Sequence, residues 1–399
     1  MTILDAPWLL SSAIALVLLT VQLPAAMVLL SRLLRGPTRR PPLSPRRAQP
    51  AQMGAVSVVV PTLNEASRIT PCLQGLTQQT YEVREILVVD SRSTDGTPDM
   101  VRAAQATDPR FRLLTDDPLP PTWVGRPWAL HHGYTHSSPK SDWILGIDAD
   151  TQPQPGLVPA LIAAAEADAY DLVSLSPQFI LKSPGEIWLQ PALLMTLVYR
   201  FGPAGASETG AERVMANGQC FLCRRNLLDR LRGYTVARRS FCDDVTLARQ
   251  AAQMGAKVGF WDGAFLLKVR MYEGFQETWR EWGRSLDLKD ASSPGQVWGD
   301  LWLLASVQAL PWLGLPFLLM GLSAEDTTLP VQLSLGLNAS LIAARIALQW
   351  AILPSYDLSQ AQGRWLFWLS PLADILAVFR IGLSSLQTPK NWRGRCYDL

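Results

Sequence analysis

Short apolar runs alternate with helical patterns between residue 56 and about residue 263, and this alternation constrains the fold more than any other feature of the chain. Short apolar runs bounded by turn residues are typical of buried strands. Strands that alternate with helices predict an α/β fold, in which a mostly parallel sheet has helices on both faces. The predicted strands are 56–60, 85–89, 111–114, 143–147, 172–175, 220–223 and 258–261, and the predicted helices are 65–78, 97–105, 128–134, 157–167 and 243–254.

An Asp-Ala-Asp triplet directly follows the fourth predicted strand. Side chains one residue apart on an extended segment point roughly the same way. Asp148 and Asp150 can therefore face one ion together, and carboxylate oxygens are ligands that Mg²⁺ or Mn²⁺ prefers. The alternative is a solvated turn, so the interpretation depends on how the other strands end.

Two further acidic segments stand at comparable places. Asp90 directly follows the second predicted strand, and the pair Asp243-Asp244 opens the helix predicted at 243–254. Ligands of open α/β sheets bind beside the carboxyl ends of the strands. Three acidic segments in one such pattern predict a site for a metal ion and a nucleotide.

Apolar segments outside the α/β region predict an attachment to membranes. Residues 8–30 are almost wholly apolar and long enough to span a bilayer, with a signal peptide as the alternative. Segments 301–322 and 330–352 are apolar and near spanning length. Segment 365–383 contains a proline, an aspartate and an arginine, which favours a position along the membrane interface or a re-entrant path.

Six arginines interleaved with prolines follow the first apolar segment, between residues 32 and 47. By the positive-inside rule they place this linker and the domain after it in the cytoplasm. The linker is either a solvated, mostly extended tether or a contact for anionic lipid headgroups. The predicted organisation is an N-terminal transmembrane anchor at 1–35, the basic linker at 36–54, a cytoplasmic catalytic domain at 55–295, and C-terminal membrane segments with a basic tail at 296–399.

One more apolar stretch, residues 187–201, lies inside the predicted catalytic domain and is too short to span a bilayer comfortably. It is either a helix that rests on the membrane surface or a buried core helix. In the first case it would provide a binding surface for the apolar tail of a lipid.

Four segments of the chain resemble motifs of the family 2 glycosyltransferases, which have the GT-A fold. Residues 58–65 resemble the family's first strand and P-x-x-N-E turn, and residues 89–97 resemble its D-x-S-x-D-G-T segment. The triplet 148–150 resembles its metal motif, and residues 242–245 resemble its acidic pair before a helix. The four segments occur in the family's order, and the resemblance covers about residues 56–288.

Two further segments indicate which members of the family the chain resembles. Residues 123–129 and 392–397 are similar to segments of enzymes that glycosylate polyisoprenoid lipids. These are the cyanobacterial carotenoid 2'-O-glycosyltransferases, which act on myxol-type xanthophylls, and the hopanoid-associated glycosyltransferases. Arg126 stands where that family commonly has a lysine. The Q-x-x-R-W motif of processive synthases is absent, and residues 276–280 only approximate it.

The resemblance implies inverting transfer of a sugar from a nucleotide-diphosphate sugar to the hydroxyl of a membrane lipid, with a carotenoid as the first expectation. The alternatives are a polyprenyl-phosphate or hopanoid sugar transferase and a polysaccharide synthase. The expected partners are the donor, the lipid acceptor and the bilayer. Nucleic acid is not expected, because the net charge is only +2.

The resemblance also implies a role for each site residue. Asp244 would be the catalytic base, with Asp243 next in line, although one of the two is expected to cap the helix instead. Asp150, helped by Asp148, would bind Mg²⁺ or Mn²⁺. The residues expected to bind the donor are Pro61, Asn64, Glu65, Asp90, Arg126, Asp148, Arg280 and Arg284.

Three of these donor-binding assignments have alternatives. Glu65 is alternatively an acid near a helix N-terminus, where the helix dipole favours it. Arg280 and Arg284 lie one predicted helical turn apart, and either can instead belong to a solvated helix face.

Overall fold

The computed structural model describes residues 7–206, 210–282, 285–286, 288–320, 328–387, 391–392 and 395–396. The strands are β1 (Val56–Thr62), β2 (Val83–Asp90), β3 (Phe111–Thr115), β4 (Trp143–Ile147), β5 (Thr151–Pro153), β6 (Leu172–Ser176), β7 (Gln178–Ile180), β8 (Cys220–Arg224), β9 (Val258–Asp262), β10 (Leu267–Val269), β11 (Tyr356–Asp357), β12 (Asn391–Trp392) and β13 (Arg395–Cys396). The α-helices are α1 (Pro7–Leu33), α2 (Thr70–Thr77), α3 (Thr97–Thr107), α4 (Gly125–His136), α5 (Leu157–Ala167), α6 (Pro184–Phe201), α7 (Arg225–Leu231), α8 (Asp243–Gln253), α9 (Gly274–Glu277), α10 (Pro294–Leu304), α11 (Leu310–Met320), α12 (Leu329–Ile352) and α13 (Asp374–Leu386).

The main sheet has seven strands in the order β3-β2-β1-β4-β8-β6-β9. Neighbouring strands pair in parallel except β8, which runs antiparallel to both β4 and β6. Side chains alternate between the faces: Val58 and Val60 pack in one core with α2, α3 and α5, and Val59 packs in the other with α4, α7 and α8. The predicted mostly parallel sheet with helices on both faces is confirmed.

The strand order determines where the predicted site residues meet. β1 lies between β2 and β4 and is parallel to both. The carboxyl ends of the three strands therefore share one edge of the sheet, with Asp90 as the last residue of β2 and Asp148 directly after β4. The sequence pattern located both residues there.

A small second sheet joins the C-terminal region to the α/β part. Its order is β11-β7-β10-β5, and β11 pairs in parallel with β7, with Tyr356 opposite Phe179. Because only one 3₁₀ turn separates β11 from the end of α12, the chain after that helix lies against the α/β part.

Three helical segments are long and apolar enough to cross a membrane within the part of the chain that the structure describes. They are Leu9–Thr38, Pro294–Leu319 and Leu329–Ser355. The segment predicted at 365–383 forms two 3₁₀ turns and then α13, which has 13 residues. That helix is too short to span, which agrees with the predicted interfacial or re-entrant path.

The apolar stretch at 187–201 lies in α6, which is a buried helix rather than a helix exposed on the membrane surface. Its residues Ile187, Leu189, Leu193 and Met195 are completely buried. They pack in a core that also contains residues of α1, α10, α12 and α13. Of the two alternatives for this stretch, the structure therefore supports the core helix.

The helix predicted at 65–78 begins later, at Thr70, so that part of the prediction is wrong. The turn before it is bonded to the loop after β2 instead. The backbone N–H of Asn64 donates to Ser93 Oγ at 2.8 Å, and that of Ala66 donates to Asp95 Oδ2 at 2.9 Å. Glu65 is consequently not a helix N-terminal residue, and that alternative is excluded.

The basic linker packs along the α/β domain, which contradicts the alternative of a solvated tether for its central part. Arg39 Nη1 donates to Asp262 Oδ2 at 3.1 Å. Arg40 forms an ion pair with Asp168, and its guanidinium lies 4.3 Å from the ring centroid of Trp261. Both arginines therefore bind carboxylates of the protein itself. The sequence pattern did not predict which residues would be their partners.

Candidate active site

Two loops at the carboxyl edge of the sheet are fixed to each other by side-chain hydrogen bonds. Asn64 Oδ1 accepts from the backbone N–H of Thr94 at 2.9 Å, and Asp90 Oδ2 accepts from that of Ser93 at 3.0 Å. Asn64 has a φ of 55°, in the left-handed region that asparagine tolerates. Asn64 and Asp90 therefore shape this edge, and donor binding by them stays a prediction, as it does for Pro61 and Glu65.

A cavity of about 640 Å³ opens next to these loops, and it collects most of the other predicted residues. Asp148 and Asp150 enter it from the end of β4, and Asp243 and Asp244 from the first turn of α8. Arg126 enters from the first turn of α4. The structure thus brings together three segments that are separated by up to about a hundred residues in the sequence.

Arg126 links the two acidic pairs. Its Nε and Nη2 donate to Asp148 Oδ1 at 3.0 and 2.9 Å, and its Nη1 donates to Asp243 Oδ2 at 2.5 Å. Nη2 also donates to the carbonyl oxygen of Gly218 at 2.8 Å. A Cβ atom at position 218 would collide with the guanidinium, so a larger residue there would displace the Arg126 side chain from this position. The contact of Arg126 with the donor stays a prediction. In the structure, Arg126 bonds to the carboxylates of Asp148 and Asp243.

Asp244 has a different environment from its neighbour. Its Oδ2 accepts from the backbone N–H of Gly218 at 2.5 Å, and its Oδ1 accepts from that of Val245 at 2.9 Å. Burial raises the pKa of Asp244 to about 6, with a further contribution from Asp243, while Arg126 opposes the rise. A carboxylate with this pKa is suited to accept a proton near neutral pH.

The donor atoms around Asp150 fit a divalent cation. Burial raises the pKa of Asp150 to about 7, with the Asp148 charge as the second cause. A cation would relieve the repulsion between the two carboxylates. No group of three or more metal-ligating side chains occurs among the described residues. Mg²⁺ and Mn²⁺ sites of this kind take further ligands from water and substrate phosphates.

Sequence reasoning missed Arg68, which lies in the cavity wall near Asp150. Its Nη2 donates to Glu277 Oε1 at 3.0 Å, in the short helix α9. The predicted Arg280 also lines the cavity, but its side chain is 77% exposed and its Nε donates to Glu281 Oε1 at 3.0 Å. Only the contact between distant segments identifies Arg68, so no local pattern could have found it.

The predicted donor residue Arg284 lies outside the described residues. The helix on which it was expected is interrupted, because α9 ends at Glu277 and a π-helical turn, Thr278–Trp282, follows.

The other half of the cavity is apolar. Its wall includes residues from the ends of α1 and α12 and from α6, and these are Leu33, Leu194, Leu197, Val198, Phe201, Leu348, Ala351 and Ile352. Two of the three helices belong to candidate membrane spans. One continuous cavity therefore connects the carboxylates with the apolar helices.

We expect Arg126→Lys to lower turnover by about 10–100-fold, the usual effect of losing a group that orients metal ligands. Lysine keeps the charge but has one nitrogen, which cannot reproduce the fork between Asp148 and Asp243. Steady-state kinetics would measure the loss. Arg225→Lys is the matched control, because Arg225 donates to the Ser141 carbonyl at 2.7 Å and does not line the cavity. Equal losses in both variants would contradict the assigned role.

Comparison with known proteins agrees with this geometry. Residues 57–232 match the family described as glycosyl transferase family 2. The fold resembles that of a mannosyltransferase from Pyrobaculum calidifontis, solved in complex with GDP-Man and Mn²⁺. The TM-score is 0.55 at 21% sequence identity, and the match covers 94% of this chain and 99% of the other.

Curated relatives are similar over much of the sequence. The 4,4'-diaponeurosporenoate glycosyltransferase of Staphylococcus haemolyticus is 24% identical over 274 residues, which are 67% of this chain and 71% of that protein. The enzyme of the same name from Staphylococcus aureus is 26% identical over 261 residues, 64% of this chain and 68% of that protein. Residues 57–232 therefore form a glycosyl transferase family 2 domain, and the chain is a glycosyltransferase with the GT-A fold.

Proposed function

We propose that the chain transfers a sugar from a nucleotide-diphosphate sugar to the hydroxyl of a membrane lipid, with inversion, and that a carotenoid such as a myxol-type xanthophyll is the acceptor. The observation that carries the proposal is the single cavity that joins Asp148, Asp150 and Asp244 to the apolar ends of α1 and α12. The curated relatives are named for 4,4'-diaponeurosporenoate, a carotenoid that carries a carboxylate, so they support a carotenoid as the acceptor while the hydroxyl is this proposal's own.

The charges in the cavity favour a neutral acceptor over an anionic one. Its described lining contains four guanidinium groups and seven carboxylates, which are Arg39, Arg68, Arg126, Arg280, Asp148, Asp150, Asp243, Asp244, Asp262, Glu277 and Glu281. The negative charge of the donor diphosphate would be offset by a bound Mg²⁺ or Mn²⁺, so the excess of carboxylates in the lining decides the sign. An acceptor phosphate, with its higher negative charge, would be repelled, whereas a hydroxyl would not. This argues for a lipid alcohol over the polyprenyl-phosphate alternative.

In the proposed reaction the acceptor oxygen attacks the anomeric carbon from the side opposite the diphosphate. The bond from that carbon to the diphosphate oxygen breaks, and the nucleoside diphosphate leaves. Asp244 accepts the hydroxyl proton, while Arg126 keeps Asp148 and Asp243 in place. Asp150 and Asp148 would hold Mg²⁺ or Mn²⁺, which supplies Lewis-acid stabilisation of the leaving group.

Filling the apolar half of the cavity tests where the acceptor binds. We expect Ala351→Trp to raise the KM for the lipid acceptor about tenfold and to leave donor hydrolysis unchanged, because the indole would occupy the space of the lipid tail. Ala347→Trp is the matched control, since Ala347 is an exposed residue one turn earlier on α12 that does not line the cavity. An unchanged KM in the Ala351 variant would exclude this route, as would equal kinetics of the wild type with a short water-soluble alcohol.

We also propose that the catalytic domain is cytoplasmic. The supporting observations are the arginines after the first span and the pairing of β11 with β7, which requires the chain after the third span to return to the catalytic side. In sealed right-side-out cells, external protease is expected to remove an N-terminal tag and to spare a C-terminal tag. Removal of the C-terminal tag by external protease would contradict the proposed orientation.

A further inference from the structure

Arg68 lies at the acidic end of the large cavity, in the turn between β1 and α2. Its backbone is fixed there, because its N–H donates to the Glu65 carbonyl oxygen at 2.8 Å and the next residue, Ile69, is completely buried. The side chain lines the cavity together with Asp148 and Asp150. A cation at this place is close to any ion or phosphate group that the two carboxylates hold.

The charge of Arg68 acts on Asp150 while its guanidinium is bonded elsewhere. Burial and the Asp148 charge raise the pKa of Asp150, and the positive charge of Arg68 counteracts that rise. Arg68 Nη2 donates to Glu277 Oε1 at 3.0 Å. Glu277 Oε2 accepts from the Glu273 backbone N–H at 2.8 Å, so this carboxylate is itself anchored. Glu277 therefore orients a guanidinium that still interacts with the carboxylate expected to bind the metal.

Arg68 keeps hydrogen-bonding capacity that Arg126 does not have. A guanidinium has five N–H donors. Arg126 makes four hydrogen bonds to protein oxygens among the described residues. Arg68 makes two there, to Glu277 and, at 3.4 Å, to the Met271 carbonyl oxygen. Its remaining N–H groups can form the fork that a guanidinium presents to phosphate oxygens.

We propose that Arg68 binds the diphosphate of the nucleotide-sugar donor and stabilises it as the leaving group. When the bond to the anomeric carbon breaks, its electron pair goes to the diphosphate oxygen. A cation in contact with the diphosphate then stabilises the transition state more than the bound donor. The proposal rests on the proposed function, because it names a residue that binds the donor of that reaction.

Isothermal titration calorimetry of the full chain in detergent tests the contact, with Mn²⁺ and a panel of ADP, CDP, GDP, TDP and UDP. For a nucleotide that the wild type binds, Arg68→Gln should raise the Kd by about 10–100-fold, the usual effect of losing hydrogen bonds between charged groups. Arg68→Lys should raise it less, because lysine keeps the charge without the fork. In steady-state kinetics, Arg68→Gln should lower kcat as well as raise the donor KM.

Glu277→Gln is the discriminating control, because it removes the same ion pair from the other side. The amide keeps an oxygen that can accept from Arg68, and a negative charge near the diphosphate is lost. This variant should therefore bind the nucleotide at least as tightly as the wild type. Equal losses of affinity in the two variants would show that the ion pair only holds the fold, and would overturn the proposal.

Arg112→Gln is the matched control for the loss of an arginine. Arg112 Nη1 donates to Glu85 Oε2 at 2.6 Å, and Arg112 does not line the cavity. This variant should keep the Kd of the wild type. An equal rise of the Kd in the Arg68 and Arg112 variants would show a general effect of charge and would contradict the assignment.

Two outcomes separate this assignment from the proposed function. A wild type that binds none of the nucleotides would contradict the proposed function, and this proposal with it. A nucleotide that the wild type and Arg68→Gln bind equally well would leave the proposed function standing and overturn the assignment of Arg68 alone.

Chemical modification of the wild type is an independent measurement that needs no variant. Phenylglyoxal modifies arginine side chains, and mass spectrometry of peptides locates the modified residues. Bound nucleotide and Mn²⁺ should protect Arg68 and leave the modification of Arg112 unchanged. Modification of Arg68 at the same rate with and without the nucleotide would contradict the contact.

Discussion

Asp150→Ala is expected to reduce sugar transfer by roughly 10³-fold or more, because it removes a ligand of the ion that would stabilise the departing diphosphate. Asp150 lies in the cavity at the end of β4, next to a second carboxylate that is already bonded to Arg126. Excess EDTA should abolish the activity of the wild type, and Mn²⁺ or Mg²⁺ should restore it. Initial rates with a panel of nucleotide sugars and membrane extract, read by mass spectrometry, would measure both effects.

A binding measurement distinguishes a loss of metal binding from a loss of catalytic rate. Electron paramagnetic resonance can measure how much Mn²⁺ the protein binds in the presence of GDP or UDP. The Asp150→Ala variant should bind much less Mn²⁺ than the wild type. Asp171→Ala is the control, because Asp171 accepts a hydrogen bond from the Lys257 backbone N–H and does not line the cavity. Full wild-type activity in excess EDTA would rule out the metal role.

Asp244→Asn should lower turnover by about 10²–10⁴-fold, the usual contribution of a general base, and should leave the donor affinity nearly unchanged. The amide keeps the size of the side chain and an oxygen that can accept from the backbone N–H groups of Gly218 and Val245. It cannot accept the proton of the acceptor hydroxyl. Single-turnover rates and donor titration would separate the two effects, and a loss of donor affinity with normal turnover would reassign Asp244 to binding.

The pH dependence gives a second test of the same residue. The base must be ionised, and burial raises the pKa of Asp244 to about 6, so turnover should rise with pH through about 6 and fall below it. The profile should be recorded at saturating Mn²⁺, which keeps Asp150 ionised. The residual activity of Asp244→Asn should lack this acidic limb. A limb that persists in the variant would show that another group titrates.

The sequence located the strands and the carboxylates at their ends because both follow from local patterns. The apolar run 143–147 has only five residues, which is too short for a typical helix and favours a buried strand, and chain connectivity alone then places Asp148 and Asp150 at the strand end. The acidic pair at Asp243 was found by its motif and by its place before a helix. These inferences needed no knowledge of what the segments contact.

Contacts between segments that are distant in the sequence could not be predicted from local patterns. Arg126 is 22 residues from Asp148 and 117 residues from Asp243, and no local pattern states that one guanidinium bonds to both. The same limit applied to Arg68 and to the linker arginines. The choice of ion-pair partner depends on which elements the fold places side by side.

The sequence by itself determined the fold class, the position of the acidic residues and the helices apolar enough to span a membrane. Only the tertiary structure decided that α6 is buried, because an apolar helix has the same composition against lipid as against protein. It also decided that β11 returns to the catalytic domain and that the carboxylates share one cavity with the apolar helices. Burial and pairing depend on the neighbours that the whole chain supplies, whereas strand ends and apolar lengths depend on adjacent residues.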